Sequence, residues 1–85
     1  MAPARHELEE TLRAILVDLF PDHDIAALGD DDDLVEALDL DSMAQIDIVL
    51  EIERRLGCHV PDEDIEKLTS LRVAADYLEA ALQAA

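Results

Sequence analysis

The sequence has 85 residues, 51% of them hydrophobic but only 2% aromatic, and its 22 carboxylates against six lysines and arginines give a net charge of −16. This length suffices for one small domain with a modest aliphatic core. The charge excludes ordinary binding to nucleic-acid backbones or anionic membrane surfaces, since both depend on basic patches, and it favours encounters with basic protein surfaces.

Composition indicates an all-α fold. Two glycines and three prolines are too few for a turn-rich β architecture, whereas alanine, leucine, glutamate and isoleucine recur in periodic runs typical of helices. We therefore expect a single free-standing, monomeric domain over residues 1–85. The lone Cys58 excludes an intramolecular disulfide, and no signal peptide or apolar run of transmembrane length is evident, which favours a cytoplasmic location.

The first helix is predicted over about residues 4–19. Its apolar residues recur at three- and four-residue spacing and form one stripe, made up of Leu8, Leu12, Ile15, Leu16 and Leu19. Pro21 ends the helix because it cannot continue the backbone hydrogen-bond pattern, and Phe20 is expected to fill the core just before that stop.

Residues 21–41 are predicted to form a connection that is long for so small a domain. A short helical turn is expected over residues 33–38, and the candidate apolar anchors are Ile25, Leu28, Leu34, Val35, Leu38 and Leu40. Seven acidic residues and no basic one lie from Asp30 to Asp41. A calcium loop is one interpretation, but the spacing lacks the EF-hand pattern. We therefore expect a solvated acidic face with loose cation binding and no dedicated metal site.

The second helix is predicted from Ser42 to about Leu56, with Gly57 as its C-cap. A serine at a helix start is usually a cap, but Asp41 could take that role and leave the Ser42 hydroxyl facing solvent. There, the exposed N–H groups and the helix dipole would favour a phosphate on the hydroxyl. Ser42 is thus either a cap or a modification site.

The apolar residues of this second helix divide into two sets at helical spacing. One set is a coherent core stripe of Ile48, Val49, Ile52 and Leu56. The other begins beside the serine and consists of Met43, Ile46 and Leu50. This second set either packs under the long connection or forms an exposed apolar strip for partner proteins. In the latter case it is bordered by Asp47, Glu51 and Glu53.

Two further helices complete the predicted four-helix bundle. A short third helix is capped by Asp62 and ends near Leu68, and the last runs from about Leu71 to Ala81 with Ser70 as its cap. The side chains expected to face inward from the last helix are Leu71, Val73, Ala74, Tyr77, Leu78 and Leu82. No catalytic pair of Cys58 with its neighbour His59 and no zinc site is expected, since no third orienting group or ligand spacing accompanies them.

The chain as a whole resembles the acyl carrier proteins of the phosphopantetheine-attachment family. The resemblance rests on Asp41-Ser42-Met43 in the place of the family's Asp-Ser-Leu, with an acidic loop before it and an apolar-acidic helix after it. Two later stretches are also similar to the family: Glu53-Arg54-Arg55-Leu56-Gly57 and Val60-Pro61-Asp62-Glu63-Asp64.

This resemblance implies a carrier that is no enzyme itself. A phosphopantetheinyl transferase would esterify Ser42 with phosphopantetheine from coenzyme A, and Asp41 would help the transferase position its magnesium. The thiol of the arm would then hold acyl or related groups as thioesters, in fatty-acid, lipid or secondary-metabolite synthesis. The implied partners are an acyl- or aminoacyl-loading ligase and acyl-processing or acyl-transfer enzymes with basic grooves. They would meet a surface formed by Met43, Ile46, Asp47, Leu50, Glu51 and Glu53.

Three positions depart from the family's pattern. Asp39 stands where a glycine is common, Ala44 stands where fatty-acid carriers often have an acid, and Arg54 replaces what is frequently another acid. The last two changes reduce the negative charge of the second helix. They suggest a specialised set of partners rather than the housekeeping fatty-acid synthase.

Three alternatives remain open from the sequence. One is a peptidyl or aminoacyl carrier of the same fold, and the others are an unmodified acidic adaptor for basic partners and an acidic cation buffer. The last two leave Ser42 unmodified. A carrier gains the mass of one phosphopantetheine, and Ser42→Ala abolishes that gain.

Overall fold

The computed structural model describes residues 3–84 and confirms the all-α prediction. Its four α-helices are α1 (Arg5–Leu19), α2 (Leu34–Leu38), α3 (Ser42–Leu56) and α4 (Leu71–Ala84). Two 3₁₀ segments lie in the connections, Ile25–Ala27 before α2 and Asp62–Lys67 between α3 and α4. None of the helices within residues 3–84 combines the length and hydropathy needed to cross a membrane.

The core is aliphatic and lies between the three long helices. Helix α1 packs against both α3 and α4, and it buries the stripe that its periodicity predicts, Leu8, Leu12, Ile15 and Leu16. Helix α3 contributes Ile48, Val49 and Ile52, and α4 contributes Leu71, Ala74, Ala75 and Leu78. Burial of these faces provides most of the stabilisation, because short helices are marginal on their own.

The connection between α1 and α3 is anchored along its length. Four of its predicted anchors are buried: Ile25, Leu28, Leu34 and Leu38. Leu40 is half-buried, whereas Val35 is 40% exposed and was wrongly predicted to be an anchor. The expected helical turn is α2, whose N-cap Asp33 accepts hydrogen bonds from the N–H groups of Val35 and Glu36.

Arg13 of α1 ties this connection to the bundle. Its guanidinium donates to the carbonyl oxygens of Ile25 and Leu28 at 3.0 and 2.9 Å, and to the Asp30 carboxylate at 2.9 Å. The connection is therefore held by one side chain from the helix before it as well as by its own apolar residues.

The last third of the chain differs from the prediction in three respects. The third helix is a 3₁₀ segment with Pro61 as N-cap and no side-chain capping bond, so Asp62 lies inside it. Four of its six residues are acidic, which leaves too little apolar surface to hold a packed α-helix. In α4, Val73 is 40% exposed instead of facing inward. That helix also extends to Ala84, past the predicted end at Ala81.

Candidate functional site

Ser42 is the exposed first residue of α3. Asp41 is the N-cap, and its Oδ1 accepts a hydrogen bond from the Ala44 N–H at 2.8 Å. Of the two caps that the sequence allows, the structure therefore shows Asp41. Within residues 3–84 no protein group is hydrogen-bonded to the Ser42 hydroxyl, so this oxygen is accessible for chemistry.

The backbone before Ser42 is held in a left-handed turn. Asp39 ends α2 with φ 51° and ψ 52°, in the region that non-glycine residues enter only at a cost. The following N–H, that of Leu40, bonds back to the Val35 carbonyl at 3.0 Å. This geometry gives a physical reason for a glycine at this position, and aspartate is one of the side chains that tolerate it best.

The apolar strip of Met43, Ile46 and Leu50 faces solvent. These side chains are 69%, 43% and 56% exposed, whereas the core set on the same helix is buried or half-buried. Packing under the long connection, the alternative for this strip, is therefore excluded. Asp47 lies beside the strip and is also exposed.

The two remaining acids predicted for a partner surface are engaged within the chain. The Glu51 carboxylate accepts hydrogen bonds from Arg54 at 2.7 Å and Arg55 at 3.1 Å, and these bonds lower the pKa of Glu51. The Glu53 carboxylate accepts the N–H of Val60 at 2.8 Å and lies 2.9 Å from Nδ1 of His59. Glu53 therefore holds the segment after α3 against the helix, a role that sequence spacing does not reveal.

An open groove of about 510 Å³ begins at Ser42 and runs between α3 and the Asp62–Lys67 segment. Its floor is apolar, formed by Ile46, Val49, Leu50, Val60 and Ile65. Its acidic lining consists of Glu53 on α3 and of Asp62 and Glu66 on the Asp62–Lys67 segment. No pattern in the sequence indicates that Asp62 and Glu66 share a groove with Ser42, because only the return of the chain after Gly57 brings them there.

A second cavity, of about 130 Å³, lies inside the bundle. Its lining includes Ile48, Ile65 and Leu71, together with Leu34 and Leu68. The exposed Val35 and Glu66 also contact it, so the cavity reaches the surface beside the 3₁₀ segment. Within residues 3–84, no three carboxylate, histidine or cysteine side chains are grouped as metal ligands would be.

Comparison with known proteins finds relatives of the same architecture. The family model described as "Phosphopantetheine attachment site" matches residues 10–78, which include Ser42 and all of α3. Among solved structures, the acyl carrier protein from Enterococcus faecalis is similar, with a TM-score of 0.78 and 28% sequence identity. That match covers 93% of this chain and 99% of the other.

Proposed function

The chain belongs to the phosphopantetheine-attachment family, which carries a covalently attached phosphopantetheine, and we propose that Ser42 is the attachment residue. The supporting observation is that the cap of α3 and the free hydroxyl at its start belong to two different residues. Asp41 caps the helix, so the exposed Ser42 hydroxyl has no hydrogen-bond partner within residues 3–84. A hydroxyl bound into a cap would have to break that bond before reacting.

The residues around Ser42 suit a phosphodiester. In the attachment reaction the Ser42 Oγ bonds to phosphorus as the phosphoanhydride bond of coenzyme A breaks and the nucleotide leaves. The first N–H groups of α3 have no intrahelical partner and favour an anion at this end. Asp41 would assist by positioning the magnesium ion of the transferase. No side chain within residues 3–84 is hydrogen-bonded to the Ser42 hydroxyl, so in this proposal the transferase supplies the group that takes its proton.

We further propose that the cargo is an acyl group held as a thioester on the thiol of the arm. The apolar cavity of about 130 Å³ supports an aliphatic chain over a polar aminoacyl group. A dry apolar cavity of roughly 150 Å³ accommodates a molecule the size of benzene. The cavity thus has space for a short acyl chain without repacking, and a longer chain requires the surrounding helices to move.

The partner enzymes are proposed to dock on the apolar strip beside Ser42. Met43, Ile46 and Leu50 present contiguous apolar area with an acid, Asp47, at its side, the combination that basic, partly apolar protein surfaces recognise. The protein itself is proposed to be a non-catalytic, cytoplasmic monomer. Its partners are a phosphopantetheinyl transferase, a loading ligase and enzymes that process or transfer acyl groups in lipid or secondary-metabolite synthesis.

Intact-mass measurement tests the attachment. The purified apo protein is incubated with coenzyme A, magnesium and a broad-specificity phosphopantetheinyl transferase. We expect one phosphopantetheine to be added to the wild type and none to Ser42→Ala. Ser70→Ala is a control, because that serine is buried at the start of α4 and should leave modification intact. No mass increase on the wild type, or an increase that persists in Ser42→Ala, would contradict the proposal.

A further inference from the structure

The acids near Ser42 differ in how much of their charge is available to a partner. Each of the six lysines and arginines forms an ion pair with a carboxylate of the chain. Two of these bases, Arg54 and Arg55, converge on Glu51, and Arg55 also reaches Asp18 of α1. The C-terminal half of α3 is therefore close to electrically balanced.

A basic side chain that approaches this half of α3 meets arginines before it meets an uncompensated acid. The Arg54 side chain is 68% exposed, whereas that of Glu51 is only 25% exposed. The Glu53 side chain is similarly little exposed, at 23%, and its carboxylate contacts the Val60 N–H and the His59 ring. Neither glutamate offers a free carboxylate to a partner.

Across the groove the situation is reversed. Asp62 and Glu66 are exposed, line the groove, and form no ion pair within residues 3–84. The one base of their 3₁₀ segment, Lys67, is bound to Asp64 at 2.8 Å. Among the acids that line the groove, Asp62 and Glu66 are therefore free, whereas Glu53 is bound within the chain. Ile46 and Leu50 of α3 supply apolar surface to the same groove.

We propose that an enzyme acting at Ser42 docks over this groove with its basic side chains against Asp62 and Glu66, and not against Glu51 and Glu53. The inference rests on the proposed carrier function and corrects the surface expected from the sequence. The occupant is the basic, partly apolar face of a transferase or acyl-processing enzyme. Charge complementarity selects it, because the free carboxylates border an apolar floor that a solvated cation alone would not cover.

If the basic side chains of the partner meet Asp62 and Glu66, the Asp62–Lys67 segment determines which partners bind. Enzymes with cations positioned for the C-terminal half of α3 meet no uncompensated acid there and gain no attraction. Enzymes with cations opposite the Asp62–Lys67 segment are attracted, and their attraction decays with ionic strength because the acids are exposed. Specificity therefore follows from the position of the free carboxylates.

The test uses the full-length apo protein and a phosphopantetheinyl transferase, with KM and kcat measured at low and physiological salt. Asp62→Asn/Glu66→Gln is expected to raise KM about fivefold at low salt, equivalent to two exposed charge pairs, with little change in kcat. The increase should shrink at physiological salt. Asp22→Asn/Glu10→Gln makes the same change in net charge outside the groove, and its KM should stay near that of the wild type.

A charge-neutral variant, Glu51→Gln/Arg54→Gln, separates the two surfaces. It should leave KM unchanged, because the pair presents no net charge to the partner. The inference is overturned if this variant raises KM as much as Asp62→Asn/Glu66→Gln does, or if the control outside the groove does so. Lack of any modification of the wild type would instead refute the carrier function itself, so the two failures are distinguishable.

Discussion

The two connections that flank α3 are built in opposite ways. The connection before it, residues 20–41, buries four apolar anchors and is hydrogen-bonded by Arg13 at two carbonyls and a carboxylate. The connection after it, residues 57–70, buries only Val60 and Ser70 among the described side chains, and none of these lies in its Asp62–Lys67 segment. Ser42 thus follows the firmly held connection, whereas the groove borders the loosely held one and the cavity is lined by residues of both.

This difference separates two requirements of a carrier. The attachment residue must keep one geometry so that a transferase can reach it, which favours a preceding backbone fixed by burial and hydrogen bonds. A cavity that admits a chain needs a wall that opens at low cost, and segments with few buried contacts open most readily. The first connection also holds the start of α4, through the bonds from Leu34 N–H to Thr69 and from Arg72 N–H to Asp30. The Asp62–Lys67 segment, in contrast, has no buried side chain.

Truncating one leucine from each connection gives the sharpest test of this contrast. Leu34 is 5% exposed and Leu68 is half-buried, and both line the cavity. Leu34→Ala should lower the free energy of unfolding by about 2–3 kcal/mol, and Leu68→Ala by about 1 kcal/mol, because less apolar area is lost from a half-exposed site. Urea denaturation of both variants measures the difference, and equal losses would show that the two connections are equally well packed.

Arg13 provides the second test, since its bonds reach only the first connection. Arg13→Ala leaves the carbonyls of Ile25 and Leu28 without their donor and should cost about 2 kcal/mol. Hydrogen exchange should accelerate over residues 25–30 and remain unchanged over residues 62–67. Arg54→Ala is the matched control, because within residues 3–84 that exposed arginine bonds to Glu51 alone and its loss should leave the unfolding midpoint nearly unchanged. An equal effect of the two substitutions would contradict the anchoring role.

A hydrogen bond joins the Asp62–Lys67 segment to α4, and its donor is Tyr77, the only tyrosine of the chain. The Tyr77 hydroxyl donates to Asp64 at 2.6 Å, and this bond is the main reason that the pKa of Tyr77 rises from 10.0 to about 12. The pKa of Asp64 is lowered, first by the hydrogen bond from Lys67 and then by that from Tyr77. The hydrogen bond stabilises the protonated phenol of Tyr77 and so raises its pKa. Its contribution to folding stability is therefore complete below about pH 10 and is lost as pH rises toward 12.

Absorbance of the phenolate therefore follows this contact directly. We expect an ionisation midpoint near 12 for the wild type, and a lower one, toward 10, for Asp64→Asn. Asp62→Asn should leave the midpoint in place, since Asp62 makes no bond to the ring hydroxyl. Tyr77→Phe should accelerate hydrogen exchange over residues 62–67 and lower stability less than Arg13→Ala does. At acidic pH the stabilisation from the lowered pKa of Asp64 is lost as pH falls below its ordinary value of 3.8.

The long helices were predictable because each carries its own apolar repeat. The stripes of α1 and α3 are buried as their spacing indicates, and the surplus strip on α3 is exposed. In α4 the same reasoning selected Val73, although the fully buried residue beside the core is Ala75. Hydropathy favours the larger side chain, whereas a closely packed core also takes small side chains such as that of Ala75.

The site was predictable where it is local and not where it is tertiary. Ser42 and its cap Asp41 are neighbours, so capping rules offered a free Ser42 hydroxyl as one of two alternatives, and the structure decides between them. The hydrogen bond that engages the Glu53 carboxylate depends on how the chain returns after Gly57, and so does the position of Asp62 and Glu66 beside the groove. No periodicity within one helix carries that information.

The left-handed residues at which α2 and α3 end allow a comparison of the backbone in the two connections. Gly57 has φ 65° with open space around its Cα, so Gly57→Ala tests the backbone alone and should cost about 1 kcal/mol. At Asp39, with φ 51°, Asp39→Gly should change stability by less than about 0.5 kcal/mol, because the relief of the left-handed conformation is offset by greater freedom in the unfolded chain. Asp39→Val should cost about 1–2 kcal/mol, since a β-branched side chain is poorly accommodated there. Thermal or urea unfolding measures all three. If Asp39→Val proved neutral, the turn before Ser42 would not be held in the left-handed conformation, and the firmness of the first connection would then rest on its buried anchors and Arg13 alone.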